Sequence, residues 1–212
     1  MPSMDYFAIF SLPAHLVIDT PALEKSFYAL SRKLHPDRFA SKSPAEQQAA
    51  LAASSELNDA YRTLKDPIAR TEYLLKLEGI ELEEQSKAAT EAARATGTAK
   101  KQVVPEDLLE EAFELNMQLE EMRAAKKMGS VGDTESADPQ LRKDLIAAKS
   151  EFDAKMAAAQ ADLQSLHAQW DKALDADDAT AKAAARDAMV ALLNRRSYLR
   201  NLVRDVNDAL EA

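Results

Sequence analysis

The chain has 212 residues, 46% of them hydrophobic, enough to bury a core in one domain or two small ones. A net charge of -9 opposes binding along a phosphate backbone, and the lack of cysteine excludes disulfides, thiolate metal sites and a cysteine nucleophile. With only 4 glycines, 6% aromatics and recurrent Ala, Leu, Glu and Lys, the composition predicts an all-α protein.

No window approaches the roughly 20 apolar residues that span a bilayer, and the start "MPSMDYFAIFSLP" has no basic n-region, so the expected compartment is the cytoplasm. From Asp5 to Leu12 a short apolar turn carries Tyr6, Phe7 and Phe10, and Pro13 ends it. Thr20 before Pro21 reads as an N-cap with proline in the first turn; Leu23, Phe27, Leu30 and Leu34 then share one helix face. Lys25 and Arg32 fall opposite that stripe, with Lys33 on the flank, giving the helix a basic side.

Pro36 disfavours helical geometry at His35 and closes this helix. "SPAE", Ser43 to Glu46, is a capping box, and the helix it opens carries Leu57, Tyr61 and Leu64 on one face. These two helices are expected to pack antiparallel, with His35 to Lys42 as an exposed connection. Asp66 and Pro67 restart a short helix that Gly79 can terminate. In residues 80–104, "IELEEQSKAATEAARATGTAKKQVV", the apolar periodicity lapses, which predicts a linker between domains at 1–79 and 105–212.

Past Pro105 a helix is predicted to about Lys127, then a turn-rich loop, "GSVGDTESAD", and a long helix capped by Asp138 and Pro139. The long helix has Leu141, Leu145, Phe152, Met156, Leu163 and Trp170 in its stripe, and "DADD" (Asp175 to Asp178) breaks it. The last helix carries Met189, Leu192, Leu199, Val203, Val206 and Leu210. Three long amphipathic helices with short connections predict an antiparallel three-helix bundle.

Two features exceed what this architecture needs. The first is His35-Pro36-Asp37 at the tip of the hairpin. A histidine near an aspartate could serve as a general base with its orienting acid, or as part of a metal site. His15, His35 and His167 are the only histidines, however, and no metal-ligand spacing accompanies them. No cofactor or metal is therefore expected, and no phosphate-cradling glycine loop or nucleophile-base pair points to an enzyme. The placement of this triplet, after a helix with a basic side and before Phe39, resembles the J-domain family. That resemblance implies a loop that docks on a DnaK-type chaperone and stimulates its ATPase through His35, Pro36 and Asp37. Lys25, Arg32, Lys33 and Arg38 would then meet an acidic patch on the partner.

The second feature lies on the helix after Pro105. Leu108, Ala112, Leu115, Leu119 and Met122 occupy about 80° of arc and suffice as a core seam, yet Leu109, Phe113 and Met117 form another stripe about 140° away, beside Glu110, Glu114 and Glu121. Either this helix is buried from two sides or the second stripe is a recognition surface. Tyr198 is expected to lie off the seam of the last helix and to join that surface.

Together, "MDYFAIFSLP", "LHPDRFAS", "AEQQAA", "LNDAYRTLKDPIARTEYLL" and the helical region that follows resemble the HscB family, J-protein co-chaperones of iron-sulfur cluster assembly. The resemblance covers nearly all of both domains. It implies that the C-terminal helices bind an IscU-type cluster scaffold and deliver it to an HscA-type chaperone. The family's scaffold-binding positions fall on Leu109, Glu110, Phe113, Glu114, Met117, Glu121 and Tyr198. This sequence departs from the family with Glu110 for methionine, Phe113 for leucine and Met117 for glutamate, and its segment 80–104 is longer and richer in alanine. The lack of paired cysteines ahead of the J-domain suggests a bacterial-type protein, and a J-protein serving a general DnaK-type chaperone with unfolded clients is the alternative.

Overall fold

A computed structural model describes residues 5–80, 82, 105–129 and 139–211 of the chain. Nearly all of the predicted linker, and the loop over 130–138, lie outside the described residues. Every described element is helical: α1 (Tyr6–Ile9), α2 (Thr20–Leu34), a 3-10 turn (Pro36–Phe39), α3 (Pro44–Lys65), α4 (Pro67–Leu77), a second 3-10 turn (Glu106–Leu108), α5 (Leu109–Gly129), α6 (Pro139–Asp175) and α7 (Ala179–Glu211). The chain divides into two compact units, one holding the residues up to Leu82 with Gln164–Met189, the other holding the rest.

Caps fix the helix starts of the first unit. Asp19, rather than Thr20, is the N-cap of α2: its carboxylate accepts from the Ala22 N–H at 3.0 Å, and Thr20 is already helical. At α3 the predicted capping box is complete, with Ser43 Oγ accepting from the Glu46 N–H and the Glu46 carboxylate accepting from the Ser43 N–H at 3.0 Å. Asp66 accepts from the N–H groups of Ile68 and Ala69 and so turns the chain from α3 into α4. Gly79 ends α4 at a φ of +80°, a conformation that costs glycine little, and its N–H and that of Ile80 satisfy the last carbonyls.

Helix α3 is the hub of this unit and packs against α1, α2 and α4. Leu23 from α2 and Ala50, Leu57, Ala60 and Leu64 from α3 are buried, and Phe27 stacks on Tyr61 with ring centroids 4.2 Å apart. Residues 164–189 complete the unit in a way that chain order does not suggest. Trp170, 1% exposed, donates its indole N–H to the Ala14 carbonyl at 3.2 Å, and Asp171 accepts from the N–H groups of Leu16 (2.6 Å) and Val17 (2.8 Å). Thr71 Oγ1 donates to the Pro67 carbonyl at 2.7 Å and so accepts from His167 Nε2–H, also at 2.7 Å. Burial, reinforced by the charge of Arg70, holds the pKa of His167 down to about 4.

The second unit has a core of Leu108, Ala112, Leu115, Leu119 and Met122 against Leu141, Leu145 and Phe152 and against Tyr198, Leu199, Leu202 and Val206. The predicted seam of α5 is thus the observed one. On α7 the prediction is corrected at two places. Leu193 is buried where the stripe had Leu192, and Tyr198 is 8% exposed and belongs to the core rather than lying off the seam. The cause is that α7 serves both units, burying Ala185 and Met189 in one and Tyr198 to Val206 in the other, so no single stripe runs its whole length. At the N-terminal end of α5, Pro105 opens a 3-10 turn before the α-helix, and Arg195 is paired with Asp107 at 2.8 Å.

Candidate partner-binding surfaces

The His35 loop is built to stand still. His35 takes the extended conformation that a following proline requires, with φ -59° and ψ 128°, which stops α2 and lets Pro36 start a tight turn. Arg38 N–H donates to the His35 carbonyl at 3.0 Å and Lys42 N–H to the Phe39 carbonyl at 2.9 Å. From α3, Gln47 Nε2 donates to the carbonyls of both Ala40 (3.2 Å) and Lys42 (3.0 Å), tying the far end of the connection to the second turn of that helix. The Arg38 guanidinium reaches back to the Arg32 carbonyl at 3.4 Å.

Within this turn His35 Nδ1 is 3.3 Å from the Asp37 N–H and 3.4 Å from its carboxylate. An unprotonated Nδ1 accepts from the N–H; a protonated one donates to the carboxylate. In both states the Asp37 carboxylate, 87% exposed, is presented to solvent from a backbone whose entropy is already restricted. Pro36 and Arg38 are exposed beside it, as are Lys25, Arg32 and Lys33 on α2. All seven predicted chaperone-binding residues therefore lie at the surface of the first unit, on one helix and the turn that ends it. Gln47 is the contributor that sequence reasoning missed, because a glutamine on a helix surface carries no periodic or motif signal.

In the second unit, Leu109, Phe113 and Met117 are 55%, 66% and 61% exposed, while the seam about 140° around the helix from them is buried. Glu110, Glu114 and Glu121 are exposed alongside. Six of the seven predicted scaffold-binding residues thus share one open helix face with apolar character and an acidic flank. Tyr198 does not join them at the surface; burial raises the pKa of its hydroxyl, with the Asp205 charge adding to the effect.

Among the described residues no group of His, Asp and Glu side chains is arranged to hold a metal ion, and no helix is long and apolar enough to cross a membrane. Residues 5–73 match the DnaJ domain family. Two solved structures are similar over most of their length. Chaperone HscB from Vibrio cholerae is 29% identical, with a TM-score of 0.55, and the match covers 98% of this chain and 99% of that one. The human co-chaperone protein HscB, at 24% identity and a TM-score of 0.56, covers 98% of this chain and 82% of its own and attests the shared fold.

Proposed function

We propose that this HscB-type J-domain co-chaperone captures an IscU-type iron-sulfur cluster scaffold on α5, presents it to an HscA-type chaperone through the His35 loop, and accelerates that chaperone's ATP hydrolysis without catalysing a reaction of its own. The observation that carries the reading is the surplus stripe of α5. A helix that already fills its core with Leu108, Leu115, Leu119 and Met122 still exposes Leu109, Phe113 and Met117 next to glutamates. Exposed leucine, phenylalanine and methionine cost solubility, and their grouping on one face has its physical use in a partner.

The two surfaces divide the work by chemistry. The fixed turn offers the chaperone one carboxylate for a charge-assisted bond from an arginine, with Lys25, Arg32, Lys33 and Arg38 steering the encounter. The stripe offers the scaffold a narrow apolar contact whose acidic flank selects a partner with basic residues. The parts of the J-domain at 1–79 and the helical region at 105–212 keep these roles separate in sequence. Calorimetric titration with the folded scaffold, repeated in the presence of a denatured polypeptide, tests the cargo assignment. Undiminished scaffold binding is expected; full competition by the denatured chain would replace the scaffold with general unfolded clients.

A further inference from the structure

Outside the residues assigned so far, two large apolar side chains of the hairpin stand in solvent: Leu51 of α3, 61% exposed, and Tyr28 of α2, 56% exposed. Neither is needed by the hairpin's core. Ala50, adjacent to Leu51, is 4% exposed, and Phe27, adjacent to Tyr28, stacks on Tyr61. With side chains advancing about 100° per residue, both Leu51 and Tyr28 point to a flank.

It is the same flank. Tyr61 donates its hydroxyl to Glu24 at 3.3 Å, which sets the register of the antiparallel pair, and Lys65 lies over the Tyr61 ring, 5.2 Å from its centroid, where Glu24 and Tyr28 both bear on its charge. Counting along both helices from the Glu24–Tyr61 pair brings Ala50 and Leu51 level with the start of the His35 turn. Leu51 also follows Gln47 by one helical turn, and Gln47 is the side chain that holds the Ala40 and Lys42 carbonyls. Leu51 is therefore the exposed apolar side chain of α3 next to the loop's anchor.

We infer that Leu51, with Tyr28 behind it, is an apolar specificity contact of the chaperone-docking surface, pairing with an apolar patch that borders the acidic site on a DnaK-class partner. The inference rests on the reading of the His35 loop given above. Its logic is a division of labour: the loop's charges set encounter and triggering, while a desolvated leucine at the edge sets affinity and partner choice. Charges shared by many chaperones discriminate little, and a fitted apolar contact discriminates more.

The test is ATP turnover by an HscA-type chaperone titrated with the full-length chain. Leu51→Ser is expected to raise the concentration for half-maximal stimulation about tenfold while leaving the plateau unchanged, and Leu51→Met to stay within about twofold of the parent. Thermal midpoints of both variants should match the parent, because the side chain is exposed. If Leu51→Ser titrates like the parent while Asp37→Ala abolishes stimulation, Leu51 is no contact and the loop assignment stands. If Asp37→Ala stimulates like the parent, the loop assignment falls and this inference with it. A melting temperature lowered by several degrees in Leu51→Ser would assign the leucine to packing and overturn the docking role.

Discussion

The His35 turn and the α5 stripe are both exposed, yet they are made in opposite ways. The turn is four residues of backbone around one carboxylate, held by Pro36 and by its own N–H···O bonds, with Gln47 tying the residues that follow it; the stripe is three apolar side chains on a regular helix whose backbone is already satisfied. A pre-set polar turn suits an all-or-none trigger, since losing its one charge removes the contact. A stripe spreads affinity over several side chains and suits graded binding.

The sharpest way to break this contrast is Asp37→Ala. It is expected to abolish stimulation of the chaperone's ATPase with helicity and scaffold binding intact, read by turnover, circular dichroism and calorimetry. Tyr198→Ala comes next: as a core residue it should cost about 3 to 5 kcal/mol of stability by urea denaturation, whereas a surface tyrosine would cost almost nothing. Phe113→Ala should weaken scaffold binding by about 1 to 3 kcal/mol and leave the melting temperature unchanged, the reverse of the Tyr198 pattern.

Acid should act on the first unit by a different route. The imidazole of His167 is held at about 4, below its ordinary value near 6.5, so the unfolded chain takes up this proton first as pH falls. The contribution, about 3 kcal/mol in full, is complete above about pH 6.5 and is lost progressively as pH falls to about 4. His167→Gln should flatten that part of the stability profile. The smallest effect belongs to the cap: Asp19→Ala should cost about 1 kcal/mol, and Thr20→Ala distinctly less, because Asp19 holds the Ala22 N–H.

Much of this molecule was legible from residue order, for identifiable reasons. Caps written as Ser-Pro-x-Glu and Asp-Pro, and apolar residues at helical spacing, specify local structure through contacts a few residues apart, and α3, α4 and the α5 seam followed them. The stripe was visible because α5 has more apolar residues than one seam can use. What periodicity missed was non-local. The His167–Thr71 bond spans nearly a hundred residues, and Trp170 and Asp171 hold the backbone of Ala14, Leu16 and Val17. The same cause misplaced Tyr198: α7 changes the face it buries between one unit and the other, and a stripe averaged over its length cannot record that change.

The central claim is that one chain triggers a chaperone with its turn while holding cargo on its stripe. ATP turnover by an HscA-type chaperone, measured with this protein alone, with the IscU-type scaffold alone, and with both, tests it most directly. Stimulation by both together that exceeds the product of the separate effects, and that vanishes in Asp37→Ala, is the predicted result; equal stimulation with and without the scaffold, or stimulation retained in Asp37→Ala, would contradict it.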